Sequence, residues 1–323
     1  MTQFRYKKYR LIGVVLVLLS FGLGACDRLE DELFEKNSYI VRNGWQDYEL
    51  TVTEDNMAVL PIYFGVNGTS ANDKDITVTM EVDRDTLDRY NWEKYKNQTS
   101  LYYKILSPET YVFDNSSWTI PRGELNASAY ITIDLTKISQ VGSLYDDYVL
   151  PLRISSSIGE PMGKSKYTKV LAHIGFKNNY SGIYSGKGVV TQQGTSYTTE
   201  TTSTHLYAIN NDVCYMFVGE KTRSNTADYL DYVVEIHRDM FGNITLVSKN
   251  PDLQFNVYSA KLTRKYTHNY TDQRYYTEVT TIEMSYAYVD NTQSEPLKMT
   301  FDGTFSMSRD VLRVEYPDVD VEE

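Results

Sequence analysis

Two tyrosine-rich segments carry side chains that are suited to holding a sugar. A sugar ring presents a face of C–H groups that packs on a flat aromatic ring, and nearby amide, acid or guanidinium groups satisfy its hydroxyls. Residues 266–276 combine these side-chain types on an expected hairpin end, and residues 228–232 place two tyrosines near a predicted barrel mouth. The alternatives are an ordinary tyrosine-rich hairpin and core packing. The candidate glycan-binding tyrosines are Tyr266, Tyr270, Tyr275, Tyr276, Tyr229 and Tyr232.

The tryptophans are further candidates, although the chain has only three of them against 29 tyrosines. Trp45 and Trp118 are adjacent to predicted loops, so each ring is either an exposed platform for a sugar or a ring buried at a sheet edge. We include both among the candidate glycan-binding residues. Trp92 lies on a predicted helix, where we expect it to anchor packing.

No enzyme motif is present. The chain lacks the Asp-x-x-Asp-x-Asp-x-Glu run of family-18 glycosidases, a Gly-x-Ser-x-Gly elbow, a His-Glu-x-x-His helix, a phosphate loop and an EF-hand loop. The four histidines are far apart, without metal-ligand spacing. A retaining glycosidase needs two carboxylates about 5–5.5 Å apart, and sequence does not show distances, so an unrecognised glycoside hydrolase stays as an alternative. We expect that the protein is not an enzyme and that it has no cofactor and no metal site.

Alternating apolar and polar residues predict that the chain is all-β. In the first half the alternation covers residues 76–82, 131–135 and 150–154, which is typical of an antiparallel sandwich. One helix is predicted over residues 85–95, with Asp85 as its N-cap.

A second strand-rich region follows a polar linker near residues 177–179. Residues 241–244 read as a hairpin turn, and residues 282–288 and 297–301 alternate as strands. Such a meander predicts an up-and-down antiparallel β-barrel, because closure removes exposed edges.

The N-terminal residues have the pattern of an export signal. Four basic residues within positions 5–10 precede an apolar run over residues 11–23, which is shorter than the about 20 residues of a membrane-spanning helix. Leu23-Gly24-Ala25-Cys26 then resembles the lipobox of bacterial lipoproteins. In that family the signal is cut before the cysteine, whose sulfur receives a diacylglyceryl group. The resemblance implies that Cys26 is lipidated and that this lipid anchor is the protein's only contact with the membrane.

The charge of the remaining chain excludes nucleic acid as a partner. Without residues 1–25 the chain has 28 basic and 43 acidic residues, a formal net charge of −15, which repels phosphate backbones and anionic lipid headgroups. Residues 27–32 resemble the acid-rich stretch that marks display on the outer face in lipoproteins of glycan-foraging gut bacteria. With Cys26 lipidated, Cys214 has no cysteine partner, and we expect it to be a small buried residue.

Three segments of the first half resemble an immunoglobulin-like domain of unknown function. These are residues 60–66, 118–124 and 148–152. The domain occurs at the N-terminus of many lipoproteins from glycan-foraging gut bacteria and ahead of some endo-β-N-acetylglucosaminidases. Residues 180–186 and the later tyrosine-rich strands are similar to the lipocalin-like domain that follows it. The implied fold is an N-terminal immunoglobulin-like β-sandwich followed by a lipocalin-like antiparallel β-barrel.

The expected organisation has five segments, and the tail after Tyr316 is predicted to be disordered. The segments are a signal peptide (1–25), the lipidated cysteine with an acidic tether (26–36), the sandwich (37–177), the barrel (180–316) and an acidic tail (317–323).

These observations favour a non-catalytic outer-membrane lipoprotein that faces the cell exterior. We expect it to bind a glycan or oligosaccharide for an outer-membrane importer complex of the starch-utilisation-system type. The alternative is a structural, adhesion or protein-docking lipoprotein that binds no sugar.

Overall fold

The computed structural model describes residues 35–68, 70–223, 226 and 228–322, which form two β-rich halves with separate cores. The predicted signal peptide, Cys26 and the acidic residues 27–32 lie outside the described residues. Within the described part of the chain, no helix has the length and apolar character needed to cross a membrane.

The first half contains two sheets. One has the order β1-β3-β8-β6, and the other has the order β2-β10-β9-β4-β7 with β5 beside β9. The strands are β1 (Ser38–Ile40), β2 (Gly44–Thr51), β3 (Met57–Val66), β4 (Ile76–Val82), β5 (Lys104–Ile105), β6 (Tyr111–Phe113), β7 (Trp118–Ile120), β8 (Asn126–Asp134), β9 (Tyr148–Ile158) and β10 (Lys169–Lys177). The helices are α1 (Arg84–Tyr95) and α2 (Leu135–Val141), with 3-10 turns at Thr99–Leu101, Pro108–Thr110 and Ser165–Tyr167.

Strict alternation along the strands builds the first core. On β3, Leu60 and Ile62 are fully buried, whereas Val59 and Tyr63 on the opposite face are 45% and 40% exposed. Inward residues of both sheets, such as Leu60 and Leu152, belong to one apolar cluster, so the two sheets pack as layers. The all-β prediction is confirmed.

Helix α1 corrects two expectations. Its N-cap is Asp83, not Asp85, because the Asp83 carboxylate accepts hydrogen bonds from the Thr86 amide (3.3 Å) and hydroxyl (2.7 Å). Trp92 is 57% exposed, with the Lys96 ammonium 4.2 Å from its ring centroid. The prediction that it anchors packing is wrong, because the buried face of the helix carries Leu87 and Asn91.

The second half is one nine-stranded sheet of order β15-β14-β13-β12-β11-β18-β17-β16-β19. The sheet curls into a half-barrel, which brings β15 close to β16. The strands are β11 (Gly182–Gln192), β12 (Thr198–Ala208), β13 (Val213–Phe217), β14 (Val233–Arg238), β15 (Ile244–Val247), β16 (Asn256–His268), β17 (Tyr275–Asp290), β18 (Leu297–Leu312) and β19 (Val321–Glu322). The 3-10 turns are Tyr229–Tyr232, Pro251–Leu253 and Arg313–Glu315.

Part of the acidic tail is ordered, in contrast to the expectation of disorder. Val321 and Glu322 pair in parallel with Tyr266 and Thr267 of β16. The pairing is supported by an ion pair of 2.8 Å between Lys265 Nζ and Glu322 Oε1.

Cys214 lies in the core of the half-barrel, as predicted. It is a free thiol with no exposed surface, and Asn178 Nδ2 lies 3.3 Å from its sulfur. Burial raises the pKa of this thiol to about 12. Such a thiol is a packing residue and not a nucleophile.

Two glycines make room for aromatic rings in the same core. Gly188 and Gly303 are paired across β11 and β18, beneath Phe301 and Phe305. A Cβ added at Gly303 would lie 2.6 Å from the Phe305 ring and 2.7 Å from the Phe301 ring. The close approach of backbone and rings therefore requires glycine there.

Gly303→Ala should lower the free energy of unfolding by about 1–3 kcal/mol, because the added methyl group overpacks this core. Urea denaturation followed by circular dichroism measures the change. Gly175→Ala is the matched control, since a Cβ there meets nothing closer than the Tyr48 carbonyl oxygen at 3.6 Å. Equal effects of the two substitutions would contradict the overpacking argument.

Candidate functional site

A groove of about 560 Å³ lies between the outer face of the six-stranded sheet and the outer face of the half-barrel. One wall comes from β2 and β10, and the other comes from β12 and β13. The loop over residues 144–147, which enters β9 beside the end of β10, and the linker over residues 177–182 complete its lining. We call this feature the interdomain groove.

The first wall carries carboxylates because alternate residues of β2 enter the core. Tyr48 and Leu50 are buried, so Asp47 and Glu49 face outward. Asp47 lies opposite His173 in the parallel register, and its Oδ1 is 2.7 Å from His173 Nδ1. Glu49 lies opposite Gly175, which has no side chain. The groove is therefore open beside Glu49.

The second wall is a continuous row of rings. His205 stacks on Tyr207 at 3.9 Å between centroids, and Tyr207 stacks on Tyr215 at 4.9 Å. Tyr207 and Tyr215 meet because they are direct partners in the antiparallel register of β12 and β13. They face away from the half-barrel core, because Leu206 and Ala208 enter it, and Tyr215 is 8% exposed because residues 144 and 145 of the layered half pack against its cluster. We call His205, Tyr207 and Tyr215 the aromatic row.

The environment of His205 favours its neutral form. Burial against Tyr207 lowers the pKa of the imidazole, and the opposing Glu49 carboxylate offsets part of that effect. The contribution of Glu49 also shows that the two walls are close enough for charges on one to act on the other.

A buried carboxylate joins the two halves beside the groove. Glu235 of β14 is 4% exposed and accepts hydrogen bonds from Tyr145 Oη, from Lys249 Nζ (2.5 Å) and from His237 Nε2 (2.7 Å). Burial opposes ionisation of Glu235, but these hydrogen bonds outweigh it and lower the pKa of the carboxyl. Tyr145 also packs edge-on against Tyr215 at 5.1 Å.

The linker is fixed by one amide side chain. Asn178 Nδ2 donates to the Asn210 carbonyl at 2.8 Å, and its Oδ1 accepts from the backbone N–H groups of Tyr180 (3.0 Å) and Ser181 (2.8 Å). Asn178 is 6% exposed. These bonds set the direction in which the chain enters β11.

The structure places the candidate tryptophans in different surroundings. Trp45 is half-buried beside the groove, where it stacks on Tyr90 at 4.7 Å and on His173 at 5.1 Å. Trp118 is 6% exposed between Phe64 and Phe113, so its ring presents no platform. It lies in the core because β7 is the edge strand beside β4 and the Trp118 side chain is on the face that packs against the other sheet.

The tyrosines of residues 266–276 lie away from the groove, at the β16–β17 hairpin. Tyr270 is 87% exposed at the hairpin end, whereas Tyr266 is half-buried and lies 5.9 Å from Tyr316. Arginines cover the other two rings, with Arg313 4.6 Å from Tyr276 and Arg274 5.7 Å from Tyr275. The hairpin offers one fully exposed ring and not a platform of several.

Tyr229 and Tyr232 are separated as well. Tyr229 extends the aromatic row, because its ring packs edge-on against Phe217 at 5.7 Å and Phe217 packs against Tyr215. Tyr232 is 4% exposed and accepts a hydrogen bond from the Asn291 amide at 2.9 Å.

Tyr232 lines a larger, polar cavity of about 770 Å³, bordered mainly by carboxylate and amide side chains. Among the described residues that line this cavity, Tyr232 is the only aromatic one. Because that ring is buried, the cavity offers hydrogen bonds but no stacking surface. The interdomain groove combines both.

The aromatic row was not predicted from the sequence. The alternation of His205-Leu206-Tyr207-Ala208 places two rings on one strand face, and that signal was available. The partnership with Tyr215 and the opposite wall depends on register and domain packing, which the alternation does not encode. Within the described residues, no group of three or more histidine, cysteine or acidic side chains is placed to hold a metal ion.

Two family models match the chain, one for an N-terminal domain over residues 34–161 and one for a C-terminal domain over residues 168–306. The chain has the two-domain architecture that these models describe. No functionally curated protein matches it.

Several solved structures of Bacteroides proteins are similar to this two-domain chain. A Bacteroides ovatus protein of unknown function is 20% identical, with a TM-score of 0.74 over 89% of this chain and 98% of that one. A Bacteroides ovatus multidomain protein including DUF1735 is 20% identical, with a TM-score of 0.71 over 86% and 94%. An auxiliary nutrient binding protein from Bacteroides thetaiotaomicron is 18% identical, with a TM-score of 0.70 over 85% and 94%. At these identities the likeness shows a shared fold.

Tyr145→Phe should lower the free energy of unfolding by about 1.5–3 kcal/mol, because Glu235 loses a hydrogen bond to a buried charge. Urea denaturation measures the change, and separate transitions of the two halves would show that they had become uncoupled. Tyr130→Phe, at a 46% exposed position, is the matched control. A Tyr145→Phe protein as stable as the wild type would contradict the role of this contact.

Protonation of His205 should lower the free energy of unfolding as the pH falls from 7.5 to 5.5. Burial lowers its pKa from about 6.5, so in this range the unfolded chain binds more protons than the folded chain, and the free energy of unfolding decreases with falling pH. His205→Phe keeps the ring stack but removes the titration, so its urea midpoint should depend less on pH. His268→Gln, at an exposed site, is the control; an unchanged pH dependence in His205→Phe would contradict the assignment.

Proposed function

We propose that this protein is a non-catalytic lipoprotein that captures glycans in the interdomain groove. The half-buried rings of His205 and Tyr207 carry this proposal, because they face exposed polar side chains across a groove of about 560 Å³. Ligand sites are commonly about 300–1,000 Å³ and often lie between domains.

The two walls fit the two kinds of surface that a sugar has. The C–H face of a sugar ring would pack against the exposed surface of the stacked His205 and Tyr207 rings, since burial of apolar area and dispersion both favour such contact. Glu49, exposed on the opposite wall beside Gly175, would accept hydrogen bonds from ring hydroxyls. The site needs no catalytic group, and its role would be to hold substrate for partner proteins.

The proposed setting follows from the sequence and from the fold. Cys26 would anchor the protein in the outer membrane, and the acidic residues 27–32 would mark it for the outer face, near an importer complex of the starch-utilisation-system type. The layered half would be the immunoglobulin-like domain (37–177), and the half-barrel would be the lipocalin-like domain (180–316). The shared fold with an auxiliary nutrient binding protein is consistent with nutrient capture.

A second candidate function is docking to another surface protein. The outer face of the β1-β3-β8-β6 sheet exposes apolar side chains, with Val59 at 45%, Tyr63 at 40%, Tyr130 at 46% and Val112 at 63%. Grouped exposed apolar side chains are typical of protein-binding surfaces. This face lies on the sheet that does not contribute to the groove.

Tyr207→Ala and Gly175→Leu should each weaken glycan binding tenfold or more, the first by removing a ring and the second by filling the groove. The protein from Asp27 onward would be screened on a glycan array, and hits would be measured by calorimetry. Gly175→Ala and Tyr63→Ala are the matched controls, and both should bind as the wild type does. Absence of binding to any glycan, or full affinity in both groove variants, would overturn the proposal and favour docking.

A further inference from the structure

The charges along the interdomain groove are not evenly distributed. Asp47 and Glu49 lie on β2, and Asp146 and Asp147 lie on the loop that enters β9 beside the end of β10. Lys177 and Arg309 lie at the linker end. Along the parallel register the pairs run from Asp47–His173 through Glu49–Gly175 to Thr51–Lys177. At about 3.3 Å per residue, Lys177 lies about 13 Å beyond Asp47 and about 7 Å beyond Glu49 along the strands. The groove therefore has an acidic part and a basic end.

The two carboxylates of the loop over residues 144–147 have cations of their own. Asp146 forms an ion pair of 2.7 Å with Lys104, and Asp147 pairs with Arg223. Their charges are largely balanced within the protein.

The basic end has an excess of positive charge. Glu278 is 1% exposed and is shared by two arginines, with Arg309 Nη2 at 2.6 Å and Arg264 Nε at 3.6 Å. Two guanidinium groups thus share one carboxylate, and the cluster has a net positive charge. Arg309 Nε donates a hydrogen bond of 2.8 Å to Glu278 Oε1. Arg264 Nε and Arg309 Nη2 are buried and make no hydrogen bond of good geometry among the described residues, so Glu278 does not saturate either arginine.

Lys177 adds to this charge. It is exposed at the last position of β10, and within the described part of the chain its ammonium group forms no ion pair. A cluster of unbalanced cations is notable in a chain whose formal net charge is −11. Lysine and arginine together suit a carboxylate, which accepts several charge-assisted hydrogen bonds.

We propose that the groove takes an oligosaccharide that carries one acidic sugar, whose carboxylate lies at Lys177 and Arg309 while neutral rings lie on the aromatic row. This inference rests on the proposed glycan-binding function and names its substrate class. A densely charged polysaccharide does not fit, because its further carboxylates would lie against Asp47 and Glu49.

The test compares matched ligands that differ in one group. Oligosaccharides ending in glucuronic, galacturonic or sialic acid would be measured by calorimetry beside their carboxyl-reduced counterparts, at 50 and 300 mM NaCl. At least one acidic form should bind tenfold or more tightly than its reduced form, and the difference should shrink at high salt.

Lys177→Gln should remove most of the preference for the acidic form and leave affinity for the reduced form unchanged. Lys261→Gln, at an exposed lysine of β16 outside the groove, is the matched control. Equal binding of acidic and reduced forms, still sensitive to Tyr207→Ala, would overturn the charge assignment and keep glycan binding. Absence of binding to every acidic, reduced and array glycan would overturn both.

Discussion

A single buried carboxylate holds the two halves in the arrangement on which the groove depends. Glu235 belongs to the half-barrel, but one of its hydrogen-bond donors, Tyr145, comes from the layered half. Losing a hydrogen bond to a buried charge costs about 1.5–3 kcal/mol, so the contact holds the loop that carries Tyr145 in place. Because Tyr145 also packs against Tyr215, the contact that joins the halves also positions one wall of the groove.

A groove whose walls are already fixed binds a ligand with a smaller loss of conformational entropy than a groove that must assemble around its ligand. Asn178 constrains the linker, and Asp147 pairs with Arg223 across the halves. The walls themselves are strand faces, whose side chains are positioned by buried neighbours such as Tyr48 and Leu206. The separation of the walls therefore depends on contacts that a ligand does not touch, and mutations outside the groove can change affinity without removing a ligand contact.

The sequence predicted what depends on local alternation, and it did not predict what depends on packing. Strands such as residues 76–82 followed from their period of two, and the burial of Cys214 followed from its apolar surroundings. Trp118 was a candidate platform because a residue's neighbours in sequence do not show which sheet face it joins. The aromatic row was missed for a similar reason: the wall opposite His205 comes from Glu49, more than 150 residues earlier in the chain.

The net negative charge of the protein is compatible with a basic end in the groove because the two act over different distances. At physiological ionic strength, charges more than about 8 Å apart in solvent are largely screened. A single carboxylate at Lys177 would therefore interact mainly with that ammonium group and with the Arg264–Glu278–Arg309 cluster. A polyanion that spans the groove would instead meet Asp47 and Glu49 at short range. The same charge distribution thus admits one acidic sugar and opposes a chain of them, so that selectivity depends on where along the groove each charge lies.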